Sequence, residues 1–206
     1  MRGIKLLVGI PSTGSVQVEF MECLVELVRE LDAADIRYDV HIERRTVVHQ
    51  ARELITERAI MGGYSHVLWL DSDMVFDADC FRILLQTMQD AGADMVSGIY
   101  RNRHGKCGIC LWSSFKPDVQ MPALSDEEVF AIAGCGFGCV LTTVRLLDRV
   151  RNESLSAFQP LVDYGEDLAF CYRAGKLGAK LVATARVKCG HVATVRLDVD
   201  GGMTPL

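Results

Sequence analysis

Apolar positions in the first third of the chain switch between two periods. Ile4 to Ile10 is a near-continuous apolar run that ends at Pro11-Ser12-Thr13-Gly14-Ser15, as expected of a buried strand followed by a small-residue loop. Phe20/Met21, Leu24, Leu27/Val28 and Leu31 then recur at helical spacing, with Ser15 as the expected cap. Tyr38 to Ile42 alternates as a second strand, and a helix is predicted over about Val47 to Met61, stopping at Gly62-Gly63. His66 to Leu70 is again apolar and runs directly into Asp71-Ser72-Asp73. Asp77 or Asp79 is expected to cap a helix through Phe81, Leu84, Leu85 and Met88 to Gly92, and Asp94 to Tyr100 forms a further strand. This β-α-β-α-β-α-β order predicts an α/β fold, a mostly parallel central sheet with helices on both faces.

The middle of the chain changes character. Arg101 to Ala133 contains short strands and a loop from Pro117 to Pro122, the pattern of a small antiparallel insertion at one sheet edge. A glycine-rich turn, Gly134 to Gly138, precedes the strand-like Cys139-Val140-Leu141. Gly165-Glu166-Asp167 opens a helix that closes near Gly175 or Gly178; Lys180 to Val187 is a last strand, followed by Gly190-His191 and a polar tail. No repeat, linker or low-complexity stretch interrupts residues 1–206, so one domain is expected.

Charge and cysteine usage narrow the function classes. A net charge of −5 argues against gripping nucleic acid through overall charge, although Arg101-Asn102-Arg103-His104-Gly105-Lys106 and Arg44-Arg45 are local basic patches. No apolar run approaches the roughly 18–20 residues of a membrane span. Leu6-Leu7-Val8 is broken at Gly9 and Pro11, too short for a signal-peptide core, so a cytoplasmic chain with eight free thiols is expected. Cys107, Cys110, Cys135 and Cys139 have spacings that could build a zinc site, but Ile109 and Leu111-Trp112 continue a strand and favour small buried residues instead.

Two carboxylates at the carboxyl end of a buried strand lie where open α/β sheets bind ligands. Asp71 and Asp73 would repel each other unless a hard divalent cation, of the kind that bridges carboxylates and phosphates, relieved them. Together with Ala51-Arg52-Glu53, Val96 to Arg101, the Gly134–Gly138 turn, Gly165 to Arg173 and Gly190-His191, this block resembles the GT-A-fold, family 2-like nucleotide-sugar glycosyltransferases, a group that includes cellulose and chitin synthases. The resemblance covers most of residues 4–195 and rests on the Asp-x-Asp, Glu-Asp and Gly-His motifs in order.

The resemblance implies a GT-A (Rossmann-like) fold and metal-dependent transfer of a sugar from a nucleoside-diphosphate sugar to an acceptor hydroxyl, with inversion. It assigns Pro11, Thr13, Arg52, Asp71 and Ser72 to the nucleotide and Asp71, Asp73 and His191 to Mn²⁺ or Mg²⁺, the imidazole favouring Mn²⁺. Asp167 is the implied base, kept ionised by its helix N-terminus, and Glu166 orients the acceptor. The acceptor stays open among a glycan, a protein, a lipid head group and a modified nucleic acid, with the loops 101–106 and 113–124 as its expected contacts.

The chain departs from the family in three places. Glu53 stands where Asn is common, no Gln-x-x-Arg-Trp motif follows His191, and no transmembrane helices follow. An alternative is a haloacid dehalogenase-like phosphatase with Asp71 as nucleophile and Asp163 and Asp167 as a late acidic pair. Its motif, however, normally ends the first strand rather than the third. A sugar-nucleotide pyrophosphorylase lacks its basic glycine-rich loop here, and an idle carbohydrate-binding module gives no reason for Asp73, Asp167 and His191 to occur together.

Overall fold

The computed structural model describes residues 3–45, 47–103, 108–115, 128–197, 199–200 and 203–205. The first half contains β1 (Lys5–Ser12), α1 (Val18–Ala33), β2 (Arg37–Arg44), α2 (Val48–Met61), β3 (His66–Leu70), β4 (Met74–Val75), α3 (Cys80–Ala91) and β5 (Met95–Ile99). The second half adds β6 (Leu111–Trp112), β7 (Val129–Ala131), β8 (Gly134–Cys135), β9 (Cys139–Thr143), α4 (Val144–Ser154) and α5 (Glu166–Lys176). It closes with β10 (Leu181–Lys188), β11 (Gly190–His191), β12 (Val195–Leu197) and β13 (Met203–Pro205).

Among the described residues, seven strands form one sheet in the order β2-β1-β3-β9-β5-β10-β7. β2, β1 and β3 pair in parallel, as do β5 and β10, whereas β9 and β7 run against their neighbours. The fold is therefore α/β with a mostly parallel central sheet, and the expected edge insertion is present as β7 and the β6–β8 pair.

Strand side chains alternate between faces, and the sheet separates two cores accordingly. Leu6, Val8 and Ile10 of β1 and Leu68 and Leu70 of β3 pack with α1 and α3. Leu7, Val67 and Trp69 pack on the other face with residues of α2, α4 and α5. Phe20, Leu24, Leu27 and Leu31 form the buried stripe of α1, the spacing of one helix face.

Several local expectations differ from the structure. Ser15 does not cap α1, which starts at Val18; the Ser12 hydroxyl donates to the Ser15 carbonyl and closes a loop two residues short of the helix. Asp79 holds the N-cap position of α3, but its carboxylate accepts from Arg82 at 2.8 Å instead of from helix amides. Helix α4 was not expected, although Thr143 Oγ1 caps it by accepting from Leu146 N at 3.2 Å. The tail contributes β11 and the β12–β13 hairpin.

The seven described cysteines are free thiols. Cys135 lies in one core and Cys139 in the other, where Cys139 contacts Cys80 and Cys189. Among the described residues no three His, Cys, Asp or Glu side chains converge as a metal centre, so Cys110, Cys135 and Cys139 are packing residues and Cys107 lies outside. Parts of the two loops expected to meet an acceptor, 104–106 and 116–124, also lie outside the described residues. No described helix is long and apolar enough to cross a membrane.

Candidate active site

A cleft of about 680 Å³ opens at the carboxyl ends of β1, β3 and β5, within the roughly 300–1,000 Å³ typical of small-molecule sites. β1 leads into Pro11, Ser12 and Thr13, β3 into Asp71, Ser72 and Asp73, and β5 into Tyr100, Asn102 and Arg103. Because β9 runs in the opposite sense, the Gly136-Phe137 segment that precedes it faces the same edge. The N-terminus of α5 supplies Glu166 and Asp167. Pro11, Thr13, Arg52, Asp71, Ser72, Asp73, Glu166, Asp167 and His191 all line this one cleft.

His191 reaches it through a two-residue pairing. β11 lies antiparallel to β4 with His191 opposite Met74, and Val192 N donates to the Asp73 carbonyl at 2.8 Å. This sets His191 Nε2 3.4 Å from Asp73 Oδ2. Its Nδ1 lies 3.0 Å from the Arg101 carbonyl, which accepts only if Nδ1 carries the hydrogen; the neutral ring then presents a lone pair at Nε2. The Arg103 guanidinium pairs with the same Asp73 oxygen. Burial alone would raise the Asp73 pKa, but His191 and then Arg103 outweigh it and hold the carboxyl below its usual range. The hydrogen bond to Asp73 raises His191 above the usual imidazole value.

A carboxylate oxygen and an imidazole nitrogen 3.4 Å apart at the cleft fit a divalent ion. The fit is a pair, not the expected triad. Asp71 Oδ1 is engaged by Arg52 Nη2 at 3.0 Å, and two protein donors leave the other positions of a hard ion to phosphate oxygens and water.

Arg52 is 2% exposed. Its Nε lies 3.5 Å from Glu166 Oε1, and the guanidinium sits 5.3 Å from the Phe137 ring centroid and 6.0 Å from that of Trp69. Burial opposes its charge, but Asp71, Glu166 and Asp167 outweigh that and raise its pKa, so it stays a cation. Burial raises the Asp71 carboxyl despite Arg52. Asp167 Oδ1 accepts from Leu168 N at 2.7 Å, and burial, then Glu166, pushes its pKa up to about 6. The helix N-terminus does not hold Asp167 in the usual carboxylate range: burial and then Glu166 raise it. At about 6, the group is mostly ionised at neutral pH and is a stronger base than an ordinary carboxylate.

Tyr100 and Gly136, which had no role of their own within the Val96–Arg101 and Gly134–Gly138 segments, also line the cleft, as does Trp112. Tyr100 Oη accepts from Gly138 N at 3.0 Å, and its ring meets His191 edge-on at 5.7 Å. A Cβ on Gly136 would lie 2.1 Å from Tyr100 Oη, which accounts for a glycine here. Cys110 also faces the cleft, with its thiol pushed up to about 12 by burial and then Asp167, so it is no nucleophile. Glu53 is absent from the lining: it accepts from Ser156 Oγ at 2.6 Å and from Phe158 N, tying α2 to the segment that packs Phe158 on Trp69.

The family model of glycosyltransferase-like family 2 matches residues 9–199. The chain belongs to this family. Comparison with curated proteins finds no match. Among solved structures, A197 from STIV superposes with a TM-score of 0.63 at 23% identity, over 98% of this chain and 93% of that one. GalNAc-T7 with UDP, GalNAc and Mn²⁺ gives a TM-score of 0.62 at 13% identity, over 91% of this chain and 43% of that one. At these identities the two superpositions carry the GT-A-like fold, while membership of the family makes the protein a glycosyltransferase. Nothing supports the phosphatase reading, and Asp163, one of its acidic pair, is exposed and absent from the cleft lining.

Proposed function

We propose that this glycosyltransferase is metal-dependent and transfers a sugar from a nucleoside diphosphate to an acceptor hydroxyl with inversion. The observation that carries the reading is one cleft with an Asp73–His191 pair on one side and the raised-pKa carboxylate of Asp167 on the other. The UDP and Mn²⁺ named with GalNAc-T7 agree with it.

Pro11, Thr13 and Ser72, at the ends of β1 and β3, would bind the nucleotide, with Asp71 held by Arg52 toward the ribose. Asp73 and His191 would hold Mn²⁺ or Mg²⁺ against the diphosphate. When bound, the ion supplies Lewis-acid neutralisation of the charge that develops on the departing diphosphate. Arg103, paired with Asp73, brings a second positive charge to the same place. Asp167 takes the proton of the acceptor hydroxyl as its oxygen attacks the anomeric carbon, and Glu166 orients that hydroxyl. With the diphosphate on the Asp73 side and the attacking oxygen on the Asp167 side, a single displacement inverts the carbon. Trp112 and Tyr100 wall the cleft beside these groups and limit water.

A panel of nucleoside-diphosphate sugars with Mn²⁺, read by thermal shift, tests this. Binding at about 100 times Kd stabilises by about 2.7 kcal/mol, roughly 5–10 °C for a chain of this size. A flat response across the panel overturns the reading.

A further inference from the structure

We propose that Arg52 is a positioning residue: one buried guanidinium locks Asp71 and Glu166 together and so couples the two halves of the site. Naming Asp71 the donor side and Glu166 the acceptor side rests on the proposed function; the lock itself does not. The sequence resemblance placed Arg52 against the nucleotide, whereas the structure places it between two carboxylates.

Three observations support this. First, Nη2 meets Asp71 at the end of β3 while Nε faces Glu166 at the start of α5, so two nitrogens of one rigid fork span two elements. Second, the fork cannot drift. It packs over Phe137 and Trp69, and Trp69 is itself fixed because its Nε1 donates to Thr142 Oγ1 at 2.9 Å. Third, the Glu166 contact is one of charge at 3.5 Å and not a hydrogen bond. Arg52 Nη1 and Nε are buried without a hydrogen-bond partner, and buried polar groups are rarely left so. The charged and titratable groups around it are Asp71, Glu166, Asp167 and Tyr100, so among the described residues its strong partners are the carboxylates of the site.

A ligand-free stability cycle tests the lock. Asp71→Asn, Glu166→Gln and their double variant are melted in the wild-type and Arg52→Lys backgrounds. In the wild type, losing either carboxylate leaves Arg52 one partner, and losing both leaves neither. The double variant should therefore melt at least about 2 °C below the sum of the single shifts. Lysine keeps the charge but cannot span both partners, so at least half of that excess should vanish. Additive shifts in the wild-type background overturn the proposal.

A second measurement separates positioning from nucleotide contact. Arg52→Lys should bind UDP with Mn²⁺ within about threefold of wild type but turn over bound donor at least about 30-fold more slowly. A loss of UDP affinity above about tenfold with turnover unchanged would instead make Arg52 a nucleotide contact. If the wild type binds no UDP and no nucleotide sugar, the proposed function fails and the melting cycle still decides the lock.

Discussion

Replacing Asp167 by Asn should make the protein more stable and nearly inactive. The structure raises this carboxyl to about 6 by burial and then by Glu166. Against an ordinary carboxylate, a shift of about two units corresponds to about 3 kcal/mol of cost for the charged form. Asp167 lines an open cleft and keeps partial solvent contact, so we discount this to about 1–2 kcal/mol. The sign follows from linkage. The folded state binds the proton more tightly than the unfolded chain, so the group destabilises the fold above pH 6, and this cost fades as pH falls toward 4. Asn keeps an oxygen for the Leu168 amide but carries no charge. At pH 7.5, without metal or nucleotide, Asp167→Asn should melt about 2–8 °C above wild type, and the gap should shrink to about a third by pH 4.5. Donor turnover should fall by about 10²–10⁴, and the wild-type rate should decline below about pH 6. A variant that melts lower than wild type at both pH values would show that Asp167 is a structural cap.

Other positions have equally definite outcomes. Gly136→Ala forces a Cβ to within 2.1 Å of Tyr100 Oη; it should cost about 1–3 kcal/mol by overpacking, read as a lower melting temperature together with weaker turnover. Glu53→Gln weakens the anchor of Ser156 and Phe158 and should cost about 1–3 kcal/mol in urea unfolding, with nucleotide affinity unchanged by calorimetry. Unaltered melting of the first variant, or unaltered urea unfolding of the second, would contradict the geometry.

The strands of the first third were legible because β1 and β3 are apolar runs that end at proline or aspartate, while β2 alternates apolar and polar residues. Helix α4 was not, because Thr143-Val144 joins β9 to it without a breaker and Val144 reads as more strand. The antiparallel direction of β9 was equally hidden: a five-residue apolar strand carries no sign, and its sense is set by the long connection before it. Asp71 and Asp73 could be found from their place after β3. His191 could be found only by resemblance, since the contact that brings it to Asp73 is a two-residue pairing of β4 with β11 that leaves no periodicity. The role of Gly136 needed the position of Tyr100, and that of Arg52 needed the start of α5, both remote in sequence.

The central claim is that Asp73 and His191 hold a divalent ion together with the donor diphosphate. Calorimetric titration of Mn²⁺ in the presence of UDP, on wild type, Asp73→Asn and His191→Ala, addresses it directly. The account predicts Mn²⁺ binding that strengthens with UDP, falls at least about 100-fold in Asp73→Asn, and falls about 10–100-fold in His191→Ala. UDP binding to the wild type that is equally tight in a chelator, or Mn²⁺ affinity untouched by both substitutions, would contradict it.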